Sequence, residues 1–289
     1  MAKIAIATYS NCGFMPEEGK ALGISIVPMP IIIDEKTYYE NVDLTTEFFY
    51  EQQAQGAEVS SSQPSPEAIL KLWNELLETH DEVVYIPMSS SLSGSCQSAM
   101  AFAEDFDGKV HVVNNLRISV TQAQAALDAR ILAEQGKTGA EIKQILEDES
   151  LDASIYIFVD TLKYLKKSGR VTAAGAAIGT ALNIKPVLSI QGGKLDAFAK
   201  VRGRKHAFHT MCKALKNDIE TRLHPLLESG ELVLGIAYTY MSEEELDSWK
   251  QEFRKEFPEG ELSIKPLTLS IGCHVGPGAL GIGAFRKHV

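Results

Sequence analysis

The chain has 289 residues, of which 45% are hydrophobic and 23% charged, a globular balance with material for two cores. A formal net charge of -10 excludes an extended phosphate-binding face, so no nucleic-acid partner is expected. No apolar run is long enough for a bilayer span, a strand pattern starts at Lys3 with no cleavable leader ahead of it, and the four cysteines form no CxxC pair; a cytoplasmic protein with reduced thiols and no metal is expected.

Lys3 to Thr8 reads as a short buried strand, followed by a turn at Asn11-Cys12-Gly13, a short helix from Pro16 to Leu22 and strand material from Ile24 to Ile33. Helices follow from Thr45 and from Pro66 to Glu78, then a strand at Val83 to Met88 and a helix from Ser95 to Phe106. A strand at Val110 to Val113 and helices from Ser119 to Gln135 and from Gly139 to Glu147 complete the first half. The second half reads as a strand at Ser154 to Val159, a short helix to Ser168 and an Ala/Gly-rich helix from Ala173 to Leu182. Strands at Lys185 to Ile190 and Leu195 to Lys200, a long helix from Arg204, a strand at Glu231 to Tyr238, a helix from Ser242 to Phe257 and a last strand from Leu262 follow.

This alternation predicts an α/β fold of two domains: residues 1–152 with a mostly parallel sheet flanked by helices, and residues 153–289 as a second α/β domain. A cleft between them is the expected ligand site.

Two hydroxyl clusters stand just ahead of helices, Ser60-Ser61-Ser62-Gln63-Pro64-Ser65-Pro66 and Ser89-Ser90-Ser91-Leu92-Ser93-Gly94-Ser95. A helix N-terminus offers open N–H groups and a partial positive charge, so hydroxyls there suit an anion, although capping alone also accounts for them. Gly276, Gly278 and Gly281 match a dinucleotide fingerprint in spacing, but that fingerprint also needs a strand before it, a helix after it and an acidic residue about twenty positions on, a context this sequence does not supply. The Gly13 to Lys20 stretch has the wrong spacing for a phosphate loop. His206 and His209 lack a matching third metal ligand.

Five stretches in order, SSSQPSP from Ser60, SSSLSGS from Ser89, LKKSGRV from Leu165, KVRGRKHA from Lys200 and HVGPGALGIG from His274, resemble those of the DegV family, also called the FakB type. The resemblance implies a non-enzymatic carrier that buries one long-chain fatty acid in the cleft. It would present the carboxylate to the ATP-binding subunit of a fatty acid kinase, which makes an acyl phosphate for phospholipid synthesis. By that resemblance Ser61, Ser62, Ser93, Gly94 and His274 surround the carboxylate, and Arg170 and Arg202 form the rim facing the partner or the phosphoryl group. No catalytic residue and no cofactor beyond the fatty acid are implied, and the carrier would touch membrane surfaces transiently.

The chain departs from the family pattern at Tyr9, where Thr-Asp-Ser is common, and at Asn114-Asn115, where Asp-Ser is common. A second reading is a serine-dependent acyl ester or thioester hydrolase using Ser93, for which no paired His and Asp motif is visible.

Overall fold

The structure, a computed structural model, describes residues 2–40, 42–177 and 183–289. The chain divides into two compact units, Met1–Leu151 with Lys287–Val289, and Asp152–Arg286.

The first unit contains strands β1 (Ile4–Tyr9), β2 (Ile24–Val27), β3 (Pro30–Ile33), β4 (Lys36–Tyr39), β5 (Val59–Ser61), β6 (Glu82–Ile86) and β7 (Val110–Val112). Its helices are α1 (Pro16–Ala21), α2 (Thr46–Gln55), α3 (Pro66–Leu77), α4 (Ser95–Ala103), α5 (Val120–Glu134) and α6 (Gly139–Asp148). Four strands form a parallel sheet in the order β2-β1-β6-β7. Alternate residues serve two cores. Ile6, Val84 and Ile86 pack with α5 and α6, through Ala123, Ala126, Ala129 and Ile142. Ala5, Ala7, Tyr9, Val83 and Tyr85 pack with Ile69 and Trp73 of α3 and Cys96 and Ala99 of α4. Burial of both faces is why the strands read as continuous apolar runs.

Strands β4-β3-β5 form a separate antiparallel sheet in which Ile31 pairs with Ser61 and Ile32 with Ser60. Sequence periodicity does not announce β5, because a serine run carries no apolar alternation. The last three residues also belong to this unit. The His288 N–H donates to Asp128 Oδ1 at 2.8 Å, and its Nε2 lies 2.8 Å from Glu149 Oε2.

The second unit contains β8 (Ala153–Phe158), β9 (Ile184–Ile190), β10 (Asp196–Arg202), β11 (Leu232–Tyr238), β12 (Glu261–Pro266) and β13 (Leu280–Arg286). Its helices are α7 (Lys163–Ser168), α8 (Ala173–Ala176), α9 (Arg204–Glu220), α10 (His224–Ser229), α11 (Glu243–Glu256) and α12 (Leu269–Val275). The sheet order is β10-β9-β8-β13-β11-β12, and every pairing except β11 with β12 is antiparallel. Of the Ala/Gly-rich helix expected over Ala173 to Leu182, α8 covers Ala173–Ala176, while residues 178–182 lie outside the described residues.

The glycine-rich end of the HVGPGALGIG stretch is a central strand. β13 runs between β8 and β11, and a side-chain carbon at Gly283 would lie 2.7 Å from the Ser154 carbonyl oxygen. Glycine is there because the neighbouring backbone comes too close for anything larger. The fingerprint spacing is thereby accounted for without a nucleotide, since a helix precedes these glycines, Gly276 and Gly278 lie in the loop after it, and Gly281 lies in the strand.

Candidate functional site

Hydrogen bonds bring the first hydroxyl loop to the edge of the parallel sheet at which the second follows β6. Val27 pairs with Tyr9, so the carboxyl ends of β1 and β2 lie together. Just beyond them the Met29 N–H donates to Ser10 Oγ at 3.0 Å, and the Ser62 N–H donates to the Pro30 carbonyl at 3.1 Å. Ser62 is therefore held beside the end of β1.

The direction of α3 agrees. Its far end leads to Asp81, which accepts the Lys3 N–H at 2.7 Å at the amino edge of the sheet. Twelve helical residues span roughly 18 Å and a five-residue strand ~17 Å, so α3 starts at the carboxyl edge. Helix α4 starts there too, following β6, and both helices pack on the same face. Two helix N-termini, each preceded by serines, thus share one edge and one face.

This edge is also where the strand order reverses. From β1 the chain passes through α1 to β2 on one side, and from β6 through α4 to β7 on the other. Gly19 of α1 packs against Ile26, on the face of α5 and α6, opposite α4. The carboxyl ends of β1 and β6, where the order diverges, are the usual ligand position in open parallel sheets.

The loop after β6 is built on Ser89, which is buried. Its N–H donates to the Arg117 carbonyl at 2.8 Å, its carbonyl accepts the N–H groups of Leu92 and Ser93 at 3.0 and 3.1 Å, and its hydroxyl oxygen accepts the Ser91 N–H at 3.2 Å. Ser93, half-buried, accepts the Ser95 N–H on its hydroxyl oxygen at 3.2 Å, which leaves the hydroxyl proton for another acceptor. Gly94 is exposed with an ordinary backbone conformation, and a side-chain carbon there would meet nothing within 4 Å. Its smallness leaves the end of α4 bare.

Side chains beneath the loops lock the strand ends. Gln122 donates to Thr8 Oγ1 at 2.9 Å and to the Ile86 carbonyl at 3.1 Å while accepting from Asn11 at 3.0 Å, all of them buried. Asn114, at one of the departures from the family pattern, accepts the Ser90 N–H at 3.4 Å, so the amide still braces the serine loop. Its neighbour Asn115 is buried and accepts the Arg117 N–H at 3.3 Å. Tyr9, at the other departure, is buried with its ring against Tyr85. The network around Gln122 escaped sequence reasoning, since Gln122 is more than thirty positions along the chain from each of its partners.

The remaining expected site residues belong to the second unit. His274 on α12 is held down to about 4 by burial, with the nearby Arg170 charge acting in the same direction, so the imidazole is neutral at pH 7. Arg170 is half-buried and donates to the Ser168 carbonyl. Arg202 closes β10 with its side chain exposed. Not all of the basic stretch is an open rim: Arg204 pairs with Asp160 and Glu245, and Lys185 lies 2.7 Å from Asp160. Asp160 is held below the usual carboxylate range by these two cations against the opposing effect of its burial. Gly276 and Gly278, both with positive φ, let the loop pass closely. A side-chain carbon would lie 2.6 Å from the Tyr164 ring at the first and 2.6 Å from Asp160 at the second.

Among the described residues no three His, Cys, Asp or Glu side chains gather to hold a metal, and no helix is long and apolar enough to cross a membrane. All four cysteines are buried, and burial pushes the Cys96 thiol up to about 11 and that of Cys212 to about 12.

The family model for DegV, described as uncharacterised proteins, matches residues 3–287. This chain belongs to the DegV family. A DegV domain-containing protein from Deinococcus radiodurans is 30% identical over 280 residues, covering 96% of this chain and 97% of that protein. Among solved structures, a DegV family protein from Thermus thermophilus described for fatty acid binding is 29% identical with a TM-score of 0.87, covering 98% of this chain and 99% of that one. DegV from Bacillus subtilis, described as a fatty acid binding protein, is 28% identical with a TM-score of 0.84, covering 99% and 100%. The DegV fold is thus an α/β fold with a helix-flanked parallel sheet and a second sheet-containing part, as the sequence implied.

Proposed function

We propose that this DegV protein is a carrier that binds one long-chain fatty acid and presents its carboxylate to the ATP-binding subunit of a fatty acid kinase. The observation that supports the reading is that two helices preceded by serines start from one edge and on one face of the parallel sheet. The fatty acid binding ascribed to the Thermus and Bacillus relatives supports it. In this reading Ser61, Ser62, Ser93 and the bare helix end at Gly94 receive the carboxylate.

The energetics divide between the two ends of the ligand. Burial of about fourteen methylenes at ~0.8 kcal/mol each contributes on the order of 10 kcal/mol before association costs. The hydroxyls and N–H groups chiefly offset the penalty of burying a carboxylate, and they fix its orientation. Being neutral donors, they leave it nucleophilic. One carboxylate oxygen attacks the γ-phosphorus of ATP held by the partner, the bond from that phosphorus to the β,γ-bridging oxygen breaks, and ADP leaves. A neutral His274 is assigned to the carboxylate together with the serines, and Arg170 and Arg202 to the side facing the phosphoryl group and the partner. This places the protein with ATP in the cytoplasm, exchanging fatty acid at membrane surfaces.

Lipid extraction and mass spectrometry of the purified protein are expected to recover close to one long-chain fatty acid per chain. Ser93→Ala is expected to weaken uptake of added fatty acid by roughly ten- to a hundredfold, the worth of a hydrogen bond to a charged group. Recovery of none, with no uptake by the unmodified protein, overturns the carrier reading.

A further inference from the structure

The three motif stretches of the second unit, although far apart in sequence, converge on one ion pair. Asp160 follows β8 and precedes α7, which leads to Arg170. Arg204 opens α9 two residues beyond Arg202, and Gly278 lies in the loop that follows α12 and its His274. Arg204 grips the Asp160 carboxylate side-on: its Nε donates to Oδ1 at 3.0 Å and its Nη2 to Oδ2. Nη1 donates to Glu245 Oε1 on α11, which also accepts the Trp249 indole N–H at 3.3 Å, and Lys185 Nζ of β9 lies 2.7 Å from Asp160 Oδ1.

Each of these segments is seated against the pair. A side-chain carbon at Gly278 would lie 2.6 Å from the Asp160 carboxylate and one at Gly276 2.6 Å from the Tyr164 ring, so the loop leaving His274 rests on Asp160 and on α7. The Ala279 N–H fastens the far end of that loop by donating to Thr239 Oγ1 at 2.8 Å. Gly203 stands between Arg202 and Arg204, and its N–H donates to the Asn183 carbonyl at 2.9 Å. The grip on Arg204 therefore also fixes the turn out of β10 at which Arg202 stands. Asp160, Arg204 and Glu245 are each about one-third exposed, so their pairing adds little stability; a planar two-pronged contact instead sets distance and direction.

We propose that Asp160 and Arg204 are positioning residues, whose ion pair sets the placement of Arg170, Arg202 and His274 relative to one another. They act through those three side chains and not on the ligand itself. The consequence for fatty-acid binding rests on the carrier reading above, whereas the placement does not.

The His274 imidazole reports on the placement, because burial and the Arg170 charge together hold it down to about 4. In Asp160→Asn it is expected to titrate at roughly 5 or above, followed by NMR, since a loosened loop exposes the ring. Loss of a carboxylate as a charge alone moves an imidazole the other way, so a value at or below that of the unmodified protein overturns the proposal, whatever the melting temperature does. Arg204→Lys keeps the charge without the fork and is expected to shift the imidazole in the same direction, by less. If Asp160→Asn fails to fold, Gly278→Ala pushes the loop off the pair from its own side and gives the same reading.

With palmitate and oleate as probes, Asp160→Asn is expected to bind roughly threefold or more weakly than the unmodified protein, and His274→Gln to cost less in that background than alone. Unchanged affinity, or full additivity of the two substitutions, in a variant whose imidazole has shifted overturns the role in binding. An unmodified protein that takes up neither probe sinks the carrier reading and leaves the placement to the imidazole titration.

Discussion

Ser93 and Gly94 divide two tasks at the start of α4, one offering a hydroxyl proton and the other leaving space. Because a side chain at position 94 would meet nothing within 4 Å, Gly94→Leu is expected to fold with stability within ~0.5 kcal/mol of the unmodified protein. Its fatty-acid uptake is expected to fall sharply, since the added isobutyl group covers the helix end. Denaturant unfolding and a binding titration on one preparation separate the two effects. His274 makes a different demand on the fold. Its pKa is lowered to about 4, so the unfolded chain takes up a proton near 6.5 that the folded one refuses. The stabilisation is present above the unfolded value and is lost as pH falls from 6.5 toward 4, by up to ~3 kcal/mol. His274→Gln is expected to flatten that part of the stability profile, as followed by urea unfolding at neutral and at mildly acidic pH.

At the level of elements, β13 makes the plainest demand on sequence. Gly283 faces a backbone oxygen 2.7 Å from where a side-chain carbon would sit, in a strand with neighbours on both sides. Gly283→Ala is expected to force β8 and β13 apart and cost ~1–3 kcal/mol in chemical denaturation. Helix α3 is started by an ordinary device. Ser65 caps α3 by accepting the Ala68 N–H at 3.1 Å, with Pro66 as the first helical residue. Within the first serine cluster this cap and the strand-held Ser61 and Ser62 therefore do different work.

For the whole molecule, a ligand that binds only the folded state adds stability by mass action. Removing bound fatty acid is expected to lower the melting temperature, and adding it back at about a hundred times its dissociation constant to restore ~2.7 kcal/mol. A scanning calorimetry series against fatty-acid concentration checks this. The expected response is a melting temperature that climbs with ligand and does not return to the delipidated value.

Much of this fold was legible from local pattern. The runs at β1 and β6, the capped starts of α2, α3 and α6, and the serines ahead of α3 and α4 are encoded within windows of about ten residues, where periodicity and capping act. The family resemblance followed from motif order alone. What only the tertiary structure decided involves partners remote in sequence. Pro30 fastens Ser62, Asp160 neutralises Arg204 from 44 positions away, and Ile155 and Gly235 flank Gly283 in a strand whose glycines hid it. Tyr9, which by sequence merely lacked a charge, became a buried hydroxyl beside Ser95. Local chemistry selects each element, but the group that a side chain finally faces is set by packing, and packing is a property of the assembled chain.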